Sequence, residues 1–354
     1  LRKLSREPSS PETRRIIAAQ IRKEKGEYRL KTTKKRDLEA WVPLKIFAKG
    51  FMRRTIDILS AGELLVDFAT AEFAQTLDEG VLFKRTPSGN PASLAVNMAR
   101  LGNKAMLAAT VGNDDMGGVL ISYIKRMGVD VSCVSQLEEP TTLLLTTRAA
   151  ASSNLQVYRG ADSMLSIRQF PFQSFDNIGV FHSTCFALSR NPSRHVILQA
   201  AERAQRAGCM VSIDVNYSEK IFPDRIEAKK AVSEFCRYKA FVKISDQDWK
   251  RLYEDNAPAP EAVIEHFLKI GASEVCFSND IGYWVGNNGG VHSLPHRQED
   301  MSNRDTFLAA YLTARLDDKS IADAAVAGRR MTELKLAVHE SVDRALIYEE
   351  LEQA

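Results

Sequence analysis

From residue 56 onward, short apolar runs alternate with stretches whose apolar positions recur at helical spacing. Ile56-Asp57-Ile58-Leu59-Ser60-Ala61-Gly62-Glu63-Leu64-Leu65-Val66-Asp67-Phe68 is an apolar strand broken by punctuation. Pro91 to Leu101 is amphipathic and stops at Gly102, Ala105 to Val111 reads as a strand, and Met116 to Met127 reads as a helix closed by Gly128. Val131 to Val134 and Thr141 to Thr147 are β-branched and alternating, as strands are. Strand Val180–Ser183, helix Ser193–Ala207 closed by Gly208, and strand Met210–Asp214 continue the rhythm. Helix Glu227–Cys236, strand Ala240–Ile244, helix Ala262–Ile270 and strand Glu274–Phe277 follow, and two helices, Asp305–Leu316 and Ile321–Ala337, close the chain. Strand–helix alternation of this kind predicts an α/β fold, a mainly parallel sheet covered on both faces. Residues 70–87 and 131–160 are richer in strand signals and predict a small β-lid.

Residues 1–54 follow another pattern. They carry 17 Lys and Arg against 6 Asp and Glu, while the rest of the chain carries 31 against 39. A basic arm on an acidic body points to an anionic partner. Thr13 to Lys25 predicts a short basic helix with Ile16, Ile17, Ala18 and Ile21 on one face, and Lys31, Lys34, Lys35 and Arg36 form a charge cluster. Trp41, Val42, Pro43, Leu44, Ile46, Phe47 and Phe51 are an apolar patch with nothing local to bury it. Two readings stand: a partly disordered solvated tail, or an arm that docks on a protein or nucleoprotein assembly, with the patch as anchor. The chain begins at Leu1 rather than Met, which leaves a preceding segment open.

The remaining bulk properties narrow the field. A length of 354 residues, 44% of them hydrophobic, supplies one large α/β domain and its appendages. No run approaches the roughly 18 apolar residues of a membrane helix, so no span is expected. Cys133, Cys185, Cys209, Cys236 and Cys276 are scattered and odd in number, without C-x-x-C spacing. They predict buried thiols in a reducing compartment, an organelle matrix or a bacterial cytoplasm, and no disulfide framework.

Several short segments carry chemistry. Ser88-Gly89-Asn90-Pro91-Ala92-Ser93-Leu94-Ala95, running on to Ala99-Arg100-Leu101-Gly102, resembles the first signature of the PfkB/ribokinase family, a G-G-x-P-A-N-x-A loop that opens a helix. Gly112-Asn113-Asp114-Asp115-Met116-Gly117, Arg159-Gly160-Ala161-Asp162, Asp214-Val215-Asn216 and Ser245-Asp246-Gln247-Asp248 then follow in the family's order. The likeness covers about residues 56–337, and its wording is closest to the fructokinase-like and ketodeoxygluconate kinase-like branches. It implies a ribokinase-like three-layer α/β/α fold with a β-lid and ATP–Mg-dependent phosphorylation of a sugar hydroxyl. It also implies sugar contacts from Asp67, Gly89, Asn90, Arg159, Asp214 and Asn216, a magnesium-linked role for Asp248, and a homodimer formed through the lid. His182, after an apolar strand, reads as a core or rim histidine.

The departures lie on the nucleotide side. Active members carry D-T-T-G-A-G-D, whose glycine amides cradle the transferring phosphoryl group and whose last Asp takes the acceptor's proton. Here Asp305 keeps that place, while Ser302-Asn303-Arg304 stand where G-A-G would be. Each lost glycine adds a Cβ and removes easy access to positive φ. The strand Glu274–Phe277 runs into Ser278-Asn279-Asp280-Ile281-Gly282 instead of T-L-G-x-x-G, setting Asp280 near the expected phosphates. Bulky Arg329 and Arg330 stand in the last helix, which lacks a G-A pair. The expectation is therefore a catalytically impaired pseudokinase that serves as a structural or docking subunit of a larger assembly, with Ser278, Asp280, Ser302 and Asn303 as a degenerate nucleotide site. The alternative is an active sugar kinase in which Asp305 is the base and the Arg304 guanidinium replaces the lost amides as a phosphate clamp.

Overall fold

A computed structural model describes residues 21–24, 27–30, 54–148, 154–256, 258–296, 304–334 and 344–352, with the side chains of 21–30, 172–174, 304–305, 349–350 and 352 outside that description. Within the first segment, β1 (Ile21–Glu24) pairs antiparallel with β2 (Glu27–Leu30), Ile21 opposite Leu30. The helix expected over Thr13–Lys25 is therefore corrected at residues 21–24. The intervening Lys25-Gly26 is the kind of two-residue, glycine-containing connection that favours a hairpin over a continuing helix. Residues 13–20, the 31–36 charge cluster and the 41–51 apolar patch lie outside the described residues.

Residues 54–354 form a separate unit. In chain order its strands are β3 (Ile56–Ala61), β4 (Leu65–Phe73), β5 (Phe83–Ser88), β6 (Ala105–Gly112), β7 (Asp130–Leu137), β8 (Leu143–Arg148), β9 (Leu155–Tyr158), β10 (Ile178–Thr184), β11 (Met210–Asp214), β12 (Phe241–Ser245), β13 (Glu274–Ser278), β14 (Gly282–Asn287) and β15 (Gly290–Pro295). Its helices are α1 (Asn90–Arg100), α2 (Asp115–Arg126), α3 (Ser193–Ala207), α4 (Arg225–Cys236), α5 (Asp246–Tyr253), α6 (Pro260–Ile270), α7 (Arg304–Leu316), α8 (Ile321–Glu333) and α9 (Arg344–Glu352). The main sheet has nine strands in the order β15-β14-β13-β12-β11-β10-β3-β6-β7, parallel from β13 to β7 and antiparallel across the β13-β14-β15 end.

One face of the sheet packs under α1, α2, α7, α8 and α9, and the other under α3, α4, α5 and α6. The result is three layers, a mainly parallel sheet with helices on both faces, as the alternation predicts. On the first face Phe307 stacks on Tyr283 at 4.2 Å between ring centroids, and Tyr311 stacks on Phe241 at 4.5 Å. All four rings are fully buried, and burial of each such side chain stabilises by roughly 1.5–3 kcal/mol. Gly328 of α8 lets the helices close on this stack, because an added Cβ would meet the Phe307 ring at 2.7 Å.

The lid is a four-stranded sheet in the order β5-β4-β8-β9, with β4 and β8 parallel and the outer pairs antiparallel. Part of the expected lid falls elsewhere. Residues 131–137 belong to β7, the edge strand of the main sheet, which pairs parallel with β6. β-branched alternation marks a strand without saying which sheet it joins; here helix α2 supplies the crossover that a parallel partner needs. Three elements go beyond the expected set: the hairpin β14–β15, whose turn contains Asn288-Gly289, helix α5, and a third closing helix, α9. Helix α8 ends at Glu333, and residues 335–343 lie outside the described residues.

Candidate active site

The chain leaves β3 toward β6 and β7 on one side and later returns at β10 toward β11, β12 and β13 on the other. The boundary between β3 and β10 is thus a topological switch point, where parallel sheets leave a crevice at the carboxyl ends of their strands. A row of polar side chains crosses this end of the sheet. Glu63 follows β3, Thr184 ends β10, Asp214 ends β11 in register with Thr184, and Lys243 lies on β12 in register with Asp214. All four are buried.

Glu63 is the member that sequence reasoning missed. Its Oε2 accepts a hydrogen bond from Thr184 Oγ1 at 2.7 Å, and its Oε1 accepts from the Asn90 backbone N–H at 3.2 Å, in the first turn of α1. Only 3% of the residue is exposed. Burial pushes its carboxyl up to about 7, against the Thr184 hydrogen bond, which pulls the other way, while the nearby Asp162 charge adds to the rise. Gly89 caps α1 with φ +115°, and a Cβ there would collide with the Glu63 carbonyl oxygen. Glycine is required at 89 on both counts. Its signal in the sequence was the Gly62-Glu63 pair interrupting an apolar run, where a charged residue has to find partners.

Arg159, for which the resemblance implies a sugar contact, forms a buried ion pair. Its Nη2 lies 2.5 Å from Asp162 Oδ2, its Nε donates to the same carboxylate, and its Nη1 donates to Ser189 Oγ at 2.8 Å. The guanidinium also sits 4.4 Å from the centroid of the Phe186 ring. Thr142, just ahead of β8, donates its hydroxyl to Asp162. The side chains of Arg159 and Asp162 are 4% and 1% exposed, so this pair braces the root of the lid.

Asp67 lies on β4 within the lid, half-buried, where its Oδ1 accepts from Thr146 Oγ1 on β8 at 2.8 Å. Burial raises its carboxyl above the ordinary value, and the Thr146 bond offsets part of that. Asp214 Oδ2 lies 2.8 Å from Lys243 Nζ, a buried ion pair between neighbouring strands. Asn216 is exposed with φ +28°, a conformation Asn tolerates better than most residues. Asp248, for which the resemblance implies a magnesium-linked role, is engaged on both carboxylate oxygens. Its Oδ1 accepts from Tyr217 N–H at 2.8 Å, and its Oδ2 accepts from the Ser245 N–H and hydroxyl at 3.0 and 2.6 Å. Ser245-x-x-Asp248 is thus the capping box of α5. Among the described residues no group of three or more His, Cys, Asp or Glu side chains could hold a metal ion. His182 is fully buried, as expected of a core histidine. Its Nδ1 pairs with Ser212 Oγ at 3.1 Å, Nε2 has no partner among the described residues, and burial, with Lys243 nearby, pushes it down to about 3.

Of the residues expected to line a degenerate nucleotide site, Ser278 ends β13 and is buried, paired with Ser245 of β12 and Tyr283 of β14. The turn that follows is closed by Asn279, whose Oδ1 accepts from the N–H groups of Ile281 and Gly282 at 2.8 and 3.2 Å, while His296 Nε2 lies 2.9 Å from its carbonyl. Asp280 and Ile281, at the tip, are exposed. Arg329 is buried, bonded to the Pro295 carbonyl and 3.5 Å from Glu333. Ser302 and Asn303 lie outside the described residues, as do the side chains of Arg304 and Asp305, whose backbones form the start of α7.

Residues 55–342 match the sequence profile described as pfkB family carbohydrate kinase. The chain belongs to this family. Probable fructokinase-3 of Arabidopsis thaliana is 30% identical over 272 residues, covering 75% of this chain and 79% of that protein. An ATP-dependent 6-phosphofructokinase of Thermoanaerobacterium thermosaccharolyticum is 25% identical over 243 residues, covering 69% of this chain and 73% of that protein. Among solved structures, the fructokinase of Halothermothrix orenii superposes with a TM-score of 0.72 at 24% identity, covering 80% of this chain and all of that one. A sugar kinase of Pyrococcus horikoshii in complex with ATP superposes at 0.70 with 22% identity, covering 82% and 97%. Both likenesses support the ribokinase-like fold of this pfkB member. No helix among the described residues is long and apolar enough to cross a membrane.

Proposed function

We propose that this protein is an ATP–Mg-dependent kinase that phosphorylates a hydroxyl of fructose or a closely related sugar. The observation that carries the reading is the polar row at the switch point of a pfkB fold, and the fructokinase named among the relatives supports the sugar class. In this reading Asp67, the Gly89-Asn90 turn, Asp214 and Asn216 face the sugar. Asp305, in the first turn of α7, takes the proton from the acceptor hydroxyl. Arg304 stabilises the charge on the transferring phosphoryl group in place of the missing glycine amides. Magnesium would be held through the nucleotide's phosphates, the usual way this ion is bound, and would supply charge neutralisation there.

The test is a coupled assay with D-fructose and ATP–Mg. Asp305→Asn is expected to lower kcat by about 10²–10⁴-fold, the usual contribution of a positioned general base. Absence of transfer to fructose by the wild-type protein, together with no thermal shift at millimolar ATP–Mg, would sink the reading.

One feature favours a second reading. Ser302-Asn303-Arg304 stand in sequence where the family carries glycines, and the basic segment 1–54 suits an anionic partner, so an impaired subunit docked in a protein or nucleoprotein assembly is the competing proposal. Truncation of residues 1–54 without loss of co-purifying partners would remove it. The exposed Phe73, Val81, Leu82 and Tyr158 at the lid support a homodimer through that sheet. The five buried free thiols support a reducing compartment.

A further inference from the structure

The lid joins the body through four connections, and they cross in two places. The link from β3 to β4 passes Glu63, and the link from β5 to α1 passes Gly89, whose missing Cβ leaves room for the Glu63 carbonyl. The link into β8 passes Pro140, and the link out of β9 passes Gly160, where a Cβ would strike the Pro140 carbonyl. The second crossing is tied by Ala161 N–H donating to Pro140 O at 2.9 Å and by Gly160 N–H donating to Thr142 Oγ1 at 2.8 Å. The first is tied through the Glu63 side chain, which reaches out of the crossing to both α1 and β10.

From this geometry we propose that Glu63 is a positioning residue: its carboxylate latches the Gly89-Asn90 turn, and with it the root of the lid, to the end of β10 at the switch point. Thr184 makes the latch directional. Its Oγ1 accepts the Ala187 N–H at 3.2 Å and gives its only proton to Glu63 Oε2. The Asn90 N–H belongs to the first turn of α1, where no carbonyl within the helix can reach it, so Glu63 Oε1 supplies the acceptor the helix lacks. The functional half of the proposal rests on the sugar-kinase reading: a sugar bound against the Gly89-Asn90 turn is held only as firmly as the turn itself. The effect belongs to acceptor binding and not to phosphoryl transfer, since Glu63 lies under the turn with both oxygens engaged by protein groups.

Amide hydrogen exchange of the full chain without ligands tests the latch independently of any activity. Glu63→Ala is expected to speed exchange at Asn90 by about tenfold or more, with smaller increases at the ends of β4 and β5 and none in β11, β12 or β13. Glu63→Gln keeps an oxygen for Asn90 and is expected to restore protection; Thr184→Val, which cuts only the β10 side, should fall between the two and serves if the alanine variant does not fold. With D-fructose and ATP–Mg, the alanine variant should raise the fructose KM about tenfold while kcat changes less than about twofold. Unchanged exchange at Asn90 in the alanine variant, or in Thr184→Val where that variant stands in for it, or a glutamine variant as loose as alanine, overturns the latch. If the wild-type protein phosphorylates no sugar, the kinase reading fails while the exchange result still decides the latch.

Discussion

At the switch point, carboxylates are held from several elements at once. Glu63 is fixed by β10 and α1, and Asp162 by Arg159 and Thr142. Three strands across the sheet from β10, the β13–β14 turn is fastened by its own Asn279 and by His296 at the end of β15, and Asp280 and Ile281 at its tip are exposed. One end of the crevice is therefore preorganised by bonds between distant elements, and the other is a short loop shaped by its own residues and the adjoining end of β15. Mutations at the first should propagate into the fold; mutations at the second should be felt only by what binds there.

Arg159→Ala probes the contrast hardest. It strands the Asp162 carboxylate in a buried position, and breaking such a pair costs about 3–5 kcal/mol. Urea denaturation should show a matching fall in midpoint at constant slope. A loss below about 0.5 kcal/mol would mean that the lid root is not braced in this way.

Glu63→Gln comes next, and its effect depends on pH. Because folding raises the Glu63 carboxyl from the ordinary 4.5 to about 7, the folded protein holds that proton more tightly than the unfolded chain does. The resulting stabilisation is complete below pH 4.5 and is lost as pH rises through 7, a swing on the order of 3 kcal/mol. Glutamine carries no such swing. The Tm of the variant should therefore gain on that of the wild-type protein between pH 5 and pH 8, and parallel pH curves would break the idea of a buried titrating carboxylate.

Asp280→Asn should do least. At an exposed turn its effect on stability should stay within about 0.5 kcal/mol. Removal of the charge should lower the ATP KM by no more than about fivefold at low salt, and the gain should vanish as salt screens the site. A large stability loss would show that this turn is tied into the body as firmly as the lid root is.

What was legible in the sequence follows the same division. The alternation of apolar runs with helical spacing placed the sheet and most helices, because a sheet buried on both faces leaves a long, strong pattern. Gly89 was legible because a glycine before Asn90-Pro91 at a helix start has few other uses. Glu63 was not, since its partners Thr184 and Asn90 are distant in sequence and only the switch point brings them together. At Asp248 a local signal was present but unused: Ser245-x-x-Asp248 is a capping pattern that a family motif at the same place outweighed. Arg159-x-x-Asp162 carried its ion pair in its spacing, but a three-residue separation says nothing about burial. The hairpin β14–β15 announced itself in Asn288-Gly289 yet sat beyond the segments where strands were sought.

The ring stack beneath α7 has a consequence for how the first turn of that helix is aimed. Phe307 is clamped between Tyr283 and the bare backbone of Gly328, only two residues past Asp305 in the same helix. The bearing of that first turn is thus inherited from grease rather than from charge. A methyl group at position 328 would turn the helix like a misplaced shim under a gunsight, and a mutational survey confined to polar residues would never find it.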